Sequence, residues 1–306
     1  MEVSKQELEY PQMLLNYMDG FMISKTMFAA CELGVFDLLL EVGGPLSSNA
    51  IAERLGTSAD GMDRLLAACV GLRLLEVKEH QGEVLYSNTD LSQMYLTKAS
   101  PRTLYYSVAY YSHTIYHCFS HLTDAIREGK SQYERAFGIS SMELFESLYR
   151  SEEEMLKFMQ LMNSIWNICG KDVVTAFDLS TFTNIFDLGG CTGAIAKECI
   201  SAYPRSRVTI YDLPKVVEMA GRYFVSPDEE RITFHEGSGV LLIEALLEED
   251  RRGPITTQLY SLNMLVQTEG KERMPSEYLK LLESAGFKDV QIRKTGKIYN
   301  VIFGRK

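Results

Sequence analysis

The sequence predicts a mostly helical N-terminal domain with a winged-helix core, followed by a parallel α/β domain whose sheet is incomplete. Three observations carry that reading. Residues 45–89 run helix, turn, helix and then two alternating strands. From residue 184 onward, strands alternate with helices, as in a parallel sheet. Two later strand-like runs, RITFHE and VLLIEALL, are separated only by Gly237-Ser238-Gly239, whereas two parallel strands need a crossover of a dozen or more residues. A three-residue connection suits a hairpin, so these strands are expected to pair antiparallel or not to form as a parallel pair does.

The elements follow in order. Leu14, Leu15, Met18, Phe21 and Met22, then Phe28, Ala29, Leu33 and Phe36, recur at helical spacing and make residues 12–42 a helix. Pro45, Leu46 and Ser47 open a short helix over Asn49–Leu55, which Gly56 and Thr57 close. Ser58 is an N-cap for a second helix, Ala59–Leu72. The run LLEVKEHQGEVLYSNT alternates around Gln81-Gly82 as a hairpin does. Residues 102–180 are helical again: SVAYYSHTIYHCFSHLTDAIREG reads as one amphipathic helix, and FESLYRSEEEMLKFMQLMNSIWNICGKDVVTAF as one or two more. The boundary between domains falls near residue 180. Beyond it, NIFDLGG, RVTIYDLP and RITFHEG are strands, with TGAIAKECISAYP and KVVEMAGRYF as the intervening helices.

Composition excludes several classes. The 306 residues are 46% hydrophobic and 24% charged, an ordinary globular balance. The net charge of −10 argues against nucleic acid as a partner, because that binding needs clustered Lys and Arg. A winged helix is either a DNA reader or an interaction module. Its second helix carries Asp60, Asp63 and Arg64, and residues 45–98 hold five basic against seven acidic side chains, so the interaction reading is favoured. No apolar run reaches the ~18 residues of a membrane span, so no membrane partner is expected. The N-terminus MEVSKQELEYPQ is polar and acidic, unlike a signal peptide. Six cysteines with no C-x-x-C pair read as reduced, buried thiols of a cytoplasmic protein, and no metal is expected. His113, His117 and His121 fall four apart, on one face of the predicted helix, where a zinc pair, a substrate-pocket lining and an ordinary helix face are all open readings.

The residues that carry chemistry are Asp187-Leu188-Gly189-Gly190-Cys191-Thr192-Gly193, between a strand and a helix. Glycines there let the backbone turn tightly and approach a ligand. Asp212 stands 25 residues after Asp187, at the end of the next strand, placed to take the two hydroxyls of an adenosine ribose. The ligand is a dinucleotide or S-adenosylmethionine. The spacing differs from G-x-G-x-x-G, and an acid two residues before the first glycine is more typical of methyltransferases.

The stretches YRSEEEMLKFM, TAFDLS, YDLP-KVV and TQLYSLNMLVQTEGKER resemble the animal acetylserotonin O-methyltransferases, part of a family shared with plant small-molecule O-methyltransferases. The resemblance spans roughly residues 10–237 and 239–306. It implies an all-α winged-helix dimerisation domain over residues 1–180 and a Rossmann-like methyltransferase domain over 181–306. It implies S-adenosylmethionine as cofactor and the 5-hydroxyl of N-acetylserotonin, a hydroxyindole, as methyl acceptor. It places Tyr149, Trp166, Gly189, Gly190, Gly193, Asp212 and Gly237 at the cofactor and Asn263 and Gln267 at the substrate. For Trp166 a core anchor, and for Asn263 and Gln267 a solvated helix face, are the plainer alternatives.

Two departures from that pattern matter. Cys191 stands where the family usually has a third glycine, so a side chain either presses toward the cofactor or sits at a backbone angle glycine takes cheaply. The second is an internal shortening, about 40 residues or one βαβ step, between Gly237 and Gly239. The lost piece includes a central strand and the family's His-Asp-Trp motif. A phenol has a pKa near 10 and its methylation is aided by a base, usually His. The five histidines present, 80, 113, 117, 121 and 235, stand in no such context. Glu244 and Glu272 correspond to acids that flank the histidine in plant relatives, though Glu272 reads here first as a surface charge. The expectation is therefore weak or absent turnover. The alternative is a non-catalytic dimerisation partner, forming homodimers or heterodimers with a full-length form.

Overall fold

The structure, a computed structural model, describes residues 10–138, 151–226, 229–233, 240–268 and 270–305. The chain divides into two compact units, residues 1–112 and 113–306.

In the first unit, helix α1 (Gln12–Leu33) stops at Gly34, whose φ of +81° ends the helix in a left-handed turn. Helix α2 (Val35–Val42) then restarts, so the single helix expected over 12–42 is two. Strand β1 (Leu46–Ser47) leads into α3 (Ser48–Leu55). Ser58 caps α4 (Ala59–Gly71) as expected, its hydroxyl accepting from the Gly61 amide at 3.3 Å. Strands β2 (Leu75–His80) and β3 (Glu83–Asn88) form the wing, joined by Gln81 and Gly82 at φ +52° and +80°. Two left-handed residues in a two-residue loop match the twist of an antiparallel hairpin. The sheet order β1-β3-β2 completes a winged helix. Its core is Phe28, Val35, Phe36, Leu39, Ile51, Met62 and Leu66, all buried. The N-terminal half of α1 lies outside that core: Leu14, Tyr17, Met18 and Phe21 are exposed, Tyr17 by 70% and Met18 by 67%.

The expected single helix over residues 107–129 is broken. Helix α5 (Tyr105–Tyr110) passes into a π-helical turn, Tyr111–Ile115, then α6 (Tyr116–Phe119), and after Ser120 the chain restarts as α7 (Leu122–Glu128). The π turn adds a residue to the helical repeat, and the break at Ser120 adds a second offset. His113 and His117 are both exposed, and His117 meets the Phe137 ring edge-on at 6.2 Å. No group of three potential metal ligands exists among the described residues.

In the second unit, Ser151 caps the 23-residue helix α8 (Glu152–Val174), accepting from the Glu154 amide at 3.2 Å. Glu152, Glu153 and Glu154 fill its first turn, where carboxylates complement the helix dipole. The far end of α8 supplies Val173 and Val174 to the core of the α/β region, joined by Phe177 and Leu179. That packing groups residues 113–180 with the second unit, whereas the sequence suggested the first.

Strands β4 (Asn184–Leu188), β5 (Arg207–Tyr211) and β6 (Ile232–Thr233) pair parallel in the order β4-β5-β6. Helices α9 (Ala194–Ala202) and α10 (Pro214–Tyr223) make the crossovers. Strands β7 (Val240–Glu244), β8 (Lys288–Lys294) and β9 (Asn300–Arg305) form a second, antiparallel sheet, β7-β9-β8. Helices α11 (Ile255–Thr268) and α12 (Pro275–Ser284) lie between β7 and β8 in the chain. So β6 and β7 make no hairpin; β7 takes β9 as its antiparallel partner. The parallel sheet is interrupted, with β4 ending one half and β7 ending the other. Val208, Ile210 and Val301, at the centres of the two sheets, are buried in one cluster that Ile185 and Ile243 also join. No helix among the described residues is long and apolar enough to cross a membrane.

Candidate cofactor and substrate site

The glycine loop leaves the C-terminal end of β4, where ligands of open α/β sheets bind. Gly189 has φ +70° and open space where a Cβ would be. Gly190 has none: a Cβ would lie 2.6 Å from Asp187 Oδ2 and 2.9 Å from Ile210. Gly193, at φ +72°, caps α9 and would meet Ile210 and Val225 at 2.9 and 3.0 Å. These glycines are required by packing and by backbone angle together.

Cys191 takes φ +49°, a left-handed angle that costs a side-chain-bearing residue about 1 kcal/mol or more. Its side chain packs with the cluster of Met155, Met159, Val216 and Met219. Burial pushes its thiol up to about 12, with Asp212 adding to the shift, so it is inert at neutral pH.

Asp212 holds the loop in place. One carboxylate oxygen accepts from the Cys191 amide at 2.9 Å, the other from the Leu213 amide at 2.7 Å. A carboxylate offers about four lone-pair sites, so two acceptor positions remain for a diol. Around it, Leu188, Tyr211 and Leu213 are exposed by 59%, 50% and 51%, an apolar rim at the ends of β4 and β5. The sequence reading did not single these out, although apolar residues flanking a strand-end acid were there to be seen.

Beneath the loop lies a second feature missed as a site. Asp187 is partly buried with its Oδ2 closed off from solvent, and that oxygen and the Thr192 hydroxyl have no hydrogen-bond partner among the described residues. Burial, and then the nearby Asp212 charge, raise the Asp187 carboxyl to about 6. Unsatisfied buried polar atoms at a glycine loop fit a site that receives a polar ligand.

Trp166 projects from α8 onto the main core cluster and meets the Tyr299 ring at 5.1 Å, beside β9. Asn263 and Gln267 face each other along α11, Gln267 donating to the Asn263 side chain at 2.5 Å. Gln267 is buried, so a solvated helix face is not what this pair makes. Glu272 is not a surface charge either. It is half-buried, and burial together with the Glu244 charge raises its carboxyl to about 7. Glu244 is raised by burial, opposed by a hydrogen bond from Tyr278 and the charge of Arg273. Glu272 lines an open cleft of about 700 Å³ with Ser261, Leu262, Leu265 and Met274. No histidine lines that cleft among the described residues. Tyr149 and Gly237 lie outside the described residues.

A winged-helix domain ahead of a glycine-loop α/β domain defines a class, and sequence comparison agrees with it. A model of the O-methyltransferase domain matches residues 119–239 and 236–288, and one of the O-methyltransferase dimerisation domain matches residues 15–98. The chain belongs to the O-methyltransferase family. Its relatives are more particular. The acetylserotonin O-methyltransferase of Gallus gallus is 55% identical over 344 aligned positions that take in 99% of each chain. That of Homo sapiens is 46% identical over 96% of this chain and 97% of its own. The crystal structure of human N-acetylserotonin methyltransferase in complex with SAM superposes with TM-score 0.93 at 45% identity, covering 100% of this chain and 99% of that one. PigF with SAH, at TM-score 0.85 and 24% identity, shares the fold.

The alignment with the Gallus gallus protein is longer than this chain's 306 residues by 38 positions, so at least that many have no counterpart here. The family match breaks at residues 236–239. Both agree with an internal shortening at the point where the sheet is interrupted.

Proposed function

We propose that this chain binds S-adenosylmethionine at the Gly189–Gly193 loop and Asp212, and methylates N-acetylserotonin slowly or not at all. The observation that carries the reading is the loop itself: Gly190 leaves no room for a Cβ, and Asp212 clamps the Cys191 amide at the strand end. The acetylserotonin O-methyltransferases at 46–55% identity support the substrate class. Bound there, the cofactor supplies an electrophilic methyl group on a sulfonium centre. Asp212 is the residue to receive ribose hydroxyls, and the Leu188, Tyr211 and Leu213 rim keeps water from the bound base. Trp166, Tyr149 and Gly237 are assigned to the same site by resemblance, and Asn263 and Gln267 to the polar groups of the hydroxyindole. Free thiols, all but Cys191 buried, suit a cytoplasmic protein.

The weak step is proton removal. The indole hydroxyl has a pKa near 10, and a positioned base contributes ~100-fold or more. Among the described residues no histidine lines the cleft that holds Glu272. Calorimetric titration with S-adenosylmethionine should give saturable binding at one per chain. Methyl transfer to N-acetylserotonin should run at least ~100-fold below the Gallus gallus relative. Turnover equal to that relative would overturn the reading.

A second reading rests on α1. Its exposed Tyr17, Met18 and Phe21 lie at the start of the dimerisation-domain match, with Leu14 just before it, and such an apolar face suits a second chain. The chain would then form homodimers, or pair with a full-length family member and lower its activity. Co-expression with that member followed by size exclusion tests it: mixed dimers support it, and two separate homodimers count against it.

A further inference from the structure

We infer that the cleft between the start of α11 and the turn joining β8 to β9 binds an apolar α-amino acid. The inference goes beyond methyl transfer and does not depend on it. The cleft has a volume of about 660 Å³, and its walls are described residues of the second unit. It shares Leu247 with the Glu272 cleft and no residue with the glycine loop.

Two buried polar side chains line it. Asn300, at the start of β9, is 9% exposed, and Thr257, in the first turn of α11, is 2% exposed. Neither side chain has a hydrogen-bond partner among the described residues. A buried amide or hydroxyl left unpaired is costly, so such groups at a cleft wall point to a ligand that pairs with them. The backbone amides of Ile255, Thr256 and Thr257, which begin the 14-residue α11, also have no hydrogen-bond partner among the described residues. Free amides and the helix dipole favour a carboxylate at this end. The Asn300 amide and the Thr257 hydroxyl supply further donors to the same group.

The rim opposes a simple anion. Glu248, Glu249 and Asp250 line the cleft, against Lys294 and Lys297. Three of these charges are committed elsewhere. Glu249 accepts from the Ser276 amide and hydroxyl, both at 2.8 Å, while Asp250 pairs with Arg252 and Lys297 with Asp172. Glu248 and Lys294 have no ion-pair partner among the described residues. Glu248 stands by the turn that opens α11, its Oε2 3.6 Å from where a Cβ on Gly253 would lie. An uncommitted carboxylate beside a carboxylate-binding helix end matches the adjacent ammonium and carboxylate of an α-amino acid. The remaining wall is apolar. Leu246, Pro254, Pro275 and Ile298 form it, Ile298 being 45% exposed, so the ligand's own side chain is apolar.

The test titrates the full chain with L-phenylalanine by calorimetry. Two analogues are run beside it: 3-phenylpropionate, which lacks the ammonium, and phenethylamine, which lacks the carboxylate. L-phenylalanine should bind saturably with a Kd of ~1 mM or below, and each analogue at least ~10-fold more weakly. Amide exchange read by mass spectrometry should slow ~10-fold over 254–258 and 294–300 when L-phenylalanine is present. The glycine loop, 189–193, should be unchanged. Thr257→Val keeps the side chain's shape and should weaken binding ~10-fold. Absence of binding to folded protein at ~10 mM L-phenylalanine would overturn the inference. So would an analogue that binds as tightly, protection at the glycine loop in place of 254–258, or an unchanged affinity in folded Thr257→Val.

Discussion

Cys191 and Asp212 make opposite contributions to one loop. Cys191 holds a left-handed angle at φ +49°, while Asp212 pins the amide of the same residue. Comparing Cys191→Gly with Cys191→Ala isolates the backbone cost, since both remove the sulfur. The glycine variant should be the more stable by about 1 kcal/mol in urea unfolding, and should bind S-adenosylmethionine more tightly. Asp212→Ala removes the acceptor for the Cys191 and Leu213 amides, and calorimetry should show a loss of at least ~10-fold in cofactor affinity, the weight of a charged hydrogen bond. Glu272 gives a pH signature. Its carboxyl titrates near 4.5 unfolded and about 7 folded, so the folded state favours the protonated form. Its contribution is fully present below pH 4.5 and is lost as pH rises through about 7. Glu272→Gln should remove that loss, flattening stability against pH by on the order of 1 kcal/mol after solvent screening. None of these side-chain environments is written in the sequence: the strand-end position of Asp212 is legible from spacing, but the burial of Asp187 and the coupling of Glu272 to Glu244 depend on chain segments far apart.

At the scale of elements, α8 depends on its first turn. Ser151→Ala removes the cap on a 23-residue helix and should cost about 1 kcal/mol, read as a shift of the urea midpoint without change in slope. That cap stands in the sequence as Ser ahead of three glutamates, just as Ser58 stands ahead of α4. The winged helix was legible because its signals are local: caps, glycines and a two-residue hairpin turn. The α/β repeat was legible from the alternation of strand and helix. The break at Gly34 and the π turn over Tyr111–Ile115 were not, because apolar periodicity continues through both and only the backbone records the offset. The short link between RITFHE and VLLIEALL excluded a parallel crossover, but not which strand β7 would choose.

At the scale of the molecule, the exposed apolar stripe of α1 predicts self-association. Met18→Asp with Phe21→Asp should shift the protein from dimer to monomer in sedimentation, with the helical circular-dichroism signal retained, because both side chains lie outside the core of their unit. The interrupted sheet has a consequence of its own for how the protein comes apart. A continuous hydrogen-bonded ladder transmits the loss of any one strand to its neighbours. Among the described residues, β4-β5-β6 and β7-β9-β8 share side-chain contacts but no ladder. Melting should accordingly lose its all-or-none character: the heat-capacity trace should need more than one transition, with a van't Hoff enthalpy below the calorimetric one. A missing strand thereby turns one cooperative unit into two loosely coupled ones, and the less stable of them sets how long the chain survives a protease.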